Sequence, residues 1–380
     1  MKIKKSILSK VLVLALLVSM VLSGCTKQEK APETSGSGLK IAIVTSPSGV
    51  DDGSFNEDNY NGILKFIESN PSASVKAVKE PTGDPAAAVK AVADIVADYD
   101  VIITPGFQFA GISLVALENP TKKFVLIDSF PENQDGKEIF DNVYAMTFAE
   151  EESGFLAGMA AALETKTNKV AVVNGIAFPS NVNYQYGFES GVNYVNAMYN
   201  KNVEFVELPS YAGTDVTGAN VGGNYAGSFA DEATGKVLGN ALISEGCDII
   251  FVAAGGTGNG VFTAAKEAAN DVKVIGCDVD QYDDGVNGNE NIILTSVLKV
   301  MSINVERSLN AVKDNSFKGD NVLLRADSDS TGYVSKEGRH QLSADTISKM
   351  NDAYALLKEG KIVPAANFNG ITSDSFPGLP

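Results

Sequence analysis

Residues 39–62 read LKIAIVTSPSGVDDGSFNEDNYNG, and the change of pattern inside this stretch sets the fold class. Leu39–Thr45 is a short apolar run rich in β-branched residues, as expected for a strand covered on both faces. From Phe55 to about Ser69, Ile63, Leu64 and Ile67 fall on one helical face. Val50–Gly62 therefore lies where the carboxyl end of a strand hands over to the amino end of a helix. Open α/β sheets collect small ligands at that edge. The stretch offers two carboxylates (Asp51, Asp52), a hydroxyl (Ser54), a ring (Phe55) and an amide (Asn56). Asp and Ser at a helix start also act as caps and favour the macrodipole, so these residues alone fit a structural role as well as a ligand role.

Working outward, strand-like and helix-like runs alternate. Val75–Glu80 is followed by Asp84-Pro85, a cap and first-turn pair opening the helix Ala86–Ala97. VIIT (Val101–Thr104) and FVLI (Phe124–Ile127) are apolar on both faces, and Asn142–Phe148 alternates. A second series follows: helix Glu151–Leu163, strand Lys169–Asn174, helix Tyr184–Ala197, strand Val203–Leu208, helix Asp231–Glu245, strand Asp248–Ala254, helix Gly260–Ala269 and strand Val272–Cys277. Ile292–Val297 and Val322–Arg325 read as strands, Ser302–Lys313 and Ala344–Lys358 as helices. Two such series predict two doubly wound α/β lobes. The first comprises 39–146 and 296–321, the second 147–295 and 322–380. Three crossings would let the lobes close as rigid bodies.

Met1–Cys25 has a basic start and a 12-residue apolar core, Val11–Leu22. A membrane span needs about 20, so a signal peptide is expected over 1–24. Leu22-Ser23-Gly24-Cys25 resembles a bacterial lipobox, which implies cleavage before Cys25 and lipidation of its thiol. Residues 25–38, rich in Pro, Ser and Gly, are expected to be a flexible tether.

The whole chain carries a formal charge of −17, and residues 1–24 hold four lysines and no acid. The remainder is thus still more acidic, which argues against nucleic-acid binding. Cys25 apart, the cysteines are Cys247 and Cys277, either two buried thiols or a disulfide. The one histidine, His340, excludes His-cluster metal sites. GGTGNG (Gly255–Gly260) lacks the Lys-Ser/Thr of a phosphate loop and misses G-x-G-x-x-G; it reads as a turn where a ligand can approach a helix start. DVDQYDD (Asp278–Asp284) fails as a calcium loop because Tyr282 occupies a ligand place. No G-x-S-x-G nucleophile or Cys–His pair occurs. Glu150–Glu152 read as charges at a helix start. Several polar residues follow strands: Asp128, Asn174, Asp278 and Lys299 join the Asp51–Asn56 cluster.

VDDGSFNEDNYNG resembles the amino-terminal signature of the basic membrane protein family, the purine nucleoside receptor A-like lipoproteins of bacterial ABC importers. FAEEESGFLAGMAAALETKTNKVAVVNG (Phe148–Gly175), FVAAGGTGNGVFTAAKE (Phe251–Glu267) and VIGCDVDQY (Val274–Tyr282) resemble three further blocks in the same order. The resemblance implies a type I periplasmic-binding-protein fold with a three-segment hinge, and a nucleoside, purine favoured, held between the lobes. The base would lie between Phe55 and Tyr184, with Ser46, Asp52, Asn56 and Asp128 near it. Gly255 or Gly256, Asp278 and Lys299 would meet the ribose. Many relatives carry Asp where this chain has Ser46, which loosens the implied base preference. The resemblance further implies an extracytoplasmic, membrane-anchored protein that hands its ligand to ABC permease subunits, with no cofactor and no catalysis. Two alternatives stay open: a receptor of the same fold for a sugar or signalling molecule, and an extracytoplasmic hydrolase using the carboxylates. For the anchor, Cys25→Ser should abolish lipidation and release or misprocess the protein. Fractionation with mass spectrometry that finds wild-type protein unlipidated would overturn this.

Overall fold

The computed structural model describes residues 38–372. The expected signal peptide, Cys25 and nearly all of the expected tether lie outside the described residues, as do residues 373–380 of the expected second lobe. In chain order the elements are β1 (Lys40–Thr45), α1 (Phe55–Ser69), β2 (Ser74–Lys79), α2 (Pro85–Ile95), β3 (Val101–Pro105), α3 (Ile112–Glu118), β4 (Lys123–Ile127) and β5 (Val143–Phe148). Next come α4 (Glu150–Glu164), β6 (Lys169–Asn174), α5 (Pro179–Tyr199), β7 (Glu204–Phe205), α6 (Glu232–Ser244), β8 (Ile249–Ala253), α7 (Gly258–Glu267) and β9 (Lys273–Gly276). The chain continues through β10 (Ile293–Lys299), α8 (Met301–Lys313), β11 (Asp320–Leu324), β12 (Thr331–Tyr333) and α9 (Ala344–Lys358). Two small ribbons, at 213–222 and 286–291, decorate the second half.

Among the described residues there are two six-stranded sheets, ordered β11-β5-β4-β3-β1-β2 and β12-β10-β9-β8-β6-β7. Both repeat the doubly wound order in which the second strand of the series lies outside the first. All pairings are parallel except β10 with β12. In the first half, Ile63 and Phe66 of α1 and Met301, Val305 and Leu309 of α8 cover one face, and Val92 of α2 and Ile112 of α3 cover the other. In the second half, α4, α5 and α9 cover one face and α6 and α7 the other.

The three crossings fall a few residues from where periodicity puts them. All of β5 to Phe148 pairs in the first sheet, all of β10 to Lys299 in the second, and all of β11 to Leu324 in the first. The switch points are therefore Ala149, Val300 and Arg325, not 146/147, 295/296 and 321/322. Apolar periodicity does not register this, because β5 and β10 stay largely buried up to the crossing, while β11 is a short, half-exposed edge strand with little apolar pattern to read. Val203–Leu208 shortens to a two-residue strand, Glu204–Phe205. Cys247 and Cys277 are free, buried thiols.

Glu150–Glu152 differ most from the sequence reading. All three are buried rather than solvated at a helix start. Glu150 lies 3.0 Å from the Lys299 ammonium. Glu152 accepts from Arg325 at 2.9 Å, from the Ala326 amide at 2.7 Å and from the Thr331 hydroxyl at 2.8 Å. The first crossing is thus tied to the second through Glu150 and to the third through Glu152. Burial, with Glu150 and Glu152 alongside, lifts the Glu151 carboxyl well above the usual carboxylate range.

Helices α4 and α5 meet along a seam of glycines. A Cβ on Gly154 or Gly158 would run into the carbonyl oxygens of Tyr184 and Phe188, and one on Gly187 or Gly191 into those of Glu151 and Phe155. Backbone touches backbone here, so even a methyl group forces the helices apart. Gly158→Ala should cost at least about 1–3 kcal/mol, the usual penalty of overpacking; a urea midpoint equal to that of the wild type would overturn the seam.

Candidate functional site

The carboxyl edges of both sheets face one another, and the residues that follow the strands enclose a cavity of about 580 Å³, counting the part open to solvent. The residues singled out from sequence, Ser46, Asp52, Phe55, Asn56, Asp128, Tyr184, Gly255, Asp278 and Lys299, all line it. Gly256 does not; it lies one residue past the lining glycine, in the 3₁₀ turn before α7.

Asp52 turns out to be a helix cap. One of its carboxylate oxygens accepts from the amides of Ser54 and Glu57, each at 3.1 Å, and the other from the amide and side chain of Asn56, at 3.1 and 2.9 Å. Burial raises the Asp52 carboxyl and these amides pull it back. Its hydrogen-bonding capacity is spent on α1, which leaves it a positioning role. Asn56 also donates to Ser46 Oγ at 3.1 Å, while its own Oδ1 is buried without a partner.

Asp128 directly follows β4 and Asp278 stands two residues past the end of β9, both with left-handed backbone, φ of 62° and 69°. Asp tolerates this region better than most side chains, and the conformation turns both carboxylates inward. Lys299, at the end of β10, reaches Asp128 Oδ2 at 2.6 Å and Glu150 Oε1 at 3.0 Å. Its ammonium also sits 5.2, 5.6 and 5.5 Å from the rings of Phe55, Phe148 and Tyr184. Burial works against the charged form, but Asp128, Glu150 and Asp278 outweigh it and hold Lys299 above the ordinary lysine range. Burial likewise lifts Asp128 above the usual carboxylate range, with Lys299 opposing. Asp128 Oδ1 is buried and has no hydrogen-bond partner.

Tyr184 departs from its expected part. It is 3% exposed, edge-on to Phe251, and its hydroxyl donates to Asp278 Oδ1 at 2.8 Å. Burial, then Asp278, pushes its phenol well above its usual value, so it stays a donor that orients Asp278. The rings turned toward the cavity include three the sequence reading missed: Phe107, Phe178 and Phe229. Phe178 lies 5.3 Å from Phe107 and 6.1 Å from Phe229, centroid to centroid. Phe229 sits in an irregular segment before α6, where no period marks it. Phe107 follows β3, at a strand end that the sequence pattern did show.

The two halves touch across the cleft. Ser48 Oγ donates to the Phe229 carbonyl at 2.9 Å, Ser54 Oγ to Asp278 Oδ2 at 3.1 Å, and Gln281 Nε2 to the Gly53 carbonyl at 3.1 Å. The site so built has acceptors, one ammonium and several rings. Among the described residues no cluster of His, Cys, Asp and Glu fits a metal.

The model of the ABC transporter substrate-binding protein PnrA-like family matches residues 39–210 and 216–359. The chain belongs to this family. It is a family of substrate-binding proteins, not of enzymes. The ABC transporter nucleoside-binding protein BmpA of Lactococcus lactis subsp. cremoris (strain MG1363) is 30% identical over 377 residues, 92% of this chain and 96% of that protein. Basic membrane protein A of Borreliella burgdorferi (strain ATCC 35210 / DSM 4680 / CIP 102532 / B31) is 30% identical over 320 residues, 83% of this chain and 84% of that protein. The fold is that of a solute-binding protein of an ABC transporter system from Aeropyrum pernix K1, at TM-score 0.73 and 23% identity, with 89% of this chain and 96% of that one covered. Both sheets and their three crossings are those of the type I periplasmic-binding-protein fold.

Removing the ammonium at the centre of the site should be costly. Lys299→Met leaves buried carboxylates unpaired and should destabilise the protein by about 3–5 kcal/mol near neutral pH. The gap should narrow as the pH falls toward about 4 and the carboxyls take up protons. Urea titrations that show no loss at neutral pH would contradict the role given to Lys299.

Proposed function

We propose that this chain is a lipid-anchored, extracytoplasmic receptor that captures a nucleoside, purine favoured, between its two lobes and delivers it to an ABC importer. One observation carries the reading: Phe55, Asp128, Asp278 and Lys299 come from separate strand ends of two different sheets, yet line one cavity. A ring, acceptors for base N–H groups, and a carboxylate beside an ammonium for vicinal hydroxyls are the chemistry a nucleoside asks for. The nucleoside-binding relative supports the ligand class. The lipobox supports the anchor, and the described residues include no helix long and apolar enough to cross a membrane.

In this reading Phe55 supplies one face of the base slot. The second face passes from Tyr184 to the more open Phe178 and Phe229, because Tyr184 is committed edge-on to Phe251 and by its hydroxyl to Asp278. Asp278 and Lys299 hold the ribose, and Gly255 lets it approach. Ser46 acts on the base through Asn56. Closure is carried by the bonds of Ser48, Ser54 and Gln281 across the cleft.

Calorimetry with adenosine, guanosine, uridine, adenine and ribose tests the assignment. Phe55→Ala should weaken every base-containing ligand by about 1–3 kcal/mol, roughly 5- to 150-fold. Asp278→Ala should weaken nucleosides more than free adenine, since it strands hydroxyl partners rather than the ring. If Phe55→Ala binds all five as the wild type does, the ligand lies elsewhere.

A further inference from the structure

A second chamber adjoins the ligand cavity on the side of the chain crossings, about 820 Å³ counting the part open to solvent. Phe107, Asp128 and Ser180 line both spaces. The rest of the wall is mostly apolar, and at its rim Phe130, Leu323 and Phe368 stand 42%, 39% and 52% exposed. Exposed large apolar side chains gathered around a concave surface mark a binding surface. These three come from different parts of the chain: the loop after β4, the edge strand β11 and the segment after α9.

What such a chamber accepts depends on which end of the ligand faces it. Asp278, Lys299 and Gly255, the residues given to the ribose, do not line it, whereas Asp128, given to the base, does. Anything that reaches the chamber therefore leaves from the base. Asp128 Oδ2 is held by Lys299, while the buried Oδ1 has no partner and calls for a donor. An exocyclic amine with a single substituent keeps one N–H for that oxygen and sends its substituent past it. The mostly apolar wall disfavours a polar or charged group there.

Building on the nucleoside reading, we propose that this receptor takes nucleosides whose exocyclic base amine carries an apolar substituent. The remaining N–H goes to Asp128 Oδ1, and the substituent lodges among Phe130, Leu323 and Phe368. Calorimetry on the full chain with adenosine and N6-(3-methylbut-2-enyl)adenosine tests this. A five-carbon group only partly withdrawn from water at this open rim should make the substituted nucleoside at least about tenfold the tighter. In Phe130→Ser/Phe368→Ser, which alters only exposed positions outside the ligand cavity, adenosine should bind as in the wild type and the advantage should shrink to less than about threefold. A wild-type advantage below about threefold, with adenosine bound, overturns the second chamber alone. So does an advantage that survives the double substitution. If neither nucleoside binds, the nucleoside reading falls and takes this inference with it.

Discussion

The structure is organised around one buried ammonium. Lys299 is 2% exposed, and its charge is met by Asp128 from the first half and Glu150 from the first crossing. A single buried charge is too costly to leave unpaired, and a buried pair is stable only when its geometry is well made. Lys299 can therefore stay charged only while the end of β4, the start of α4 and the end of β10 keep their places. Phe55, Phe148 and Tyr184, arranged around the same ammonium, add ring faces that favour the cation. The condition that satisfies Lys299 also brings the strand ends of both sheets to one cavity.

A second constraint supports the first. The glycine seam draws α4 and α5 into backbone contact, which sets the start of α4 firmly against the second sheet. From there Glu150 reaches Lys299 and Glu152 reaches Arg325, Ala326 and Thr331. The three crossings are thereby joined by carboxylates that water does not reach, and not by flexible linkers. Any opening of the lobes has to pivot about this block. The bonds of Ser48, Ser54 and Gln281 at the far side of the cleft involve single hydroxyl and amide donors, which exchange with water at small net cost. The crossings are thus bonded by buried ionic groups and the mouth by a few hydrogen bonds from neutral donors.

Much of this was legible in the sequence. Runs such as VIIT and FVLI, apolar on both faces, required parallel strands under helices, and the repeat of βα units required two of them side by side. Side chains just past such runs had to lie at the sheet edge, which placed Asp128, Asn174, Asp278, Lys299 and the Asp51–Asn56 cluster there; the choice of Phe55, Asp128, Asp278 and Lys299 as ligand contacts came from the family resemblance. The expectation of a signal peptide and lipid anchor rests equally on local composition, and the small number of histidines and cysteines bounded the chemistry without reference to shape.

Tertiary structure decided the remainder. Asp52 fitted either a ligand or a capping role, and the position of the amides at the start of α1 shows its oxygens to be spent on capping. Glu150–Glu152 looked like solvated charges, and only the meeting of three crossings shows them as buried ties. Tyr184 looked like a stacking ring, while packing against Phe251 and a bond to Asp278 turned it into a fixed donor. Phe229 carried no periodic signal, because it stands in a segment without regular structure. The physical reason is common to all four. A sequence pattern records which face of an element avoids water, but a side chain's hydrogen-bond partners and the direction of its ring depend on neighbours brought together from distant parts of the chain.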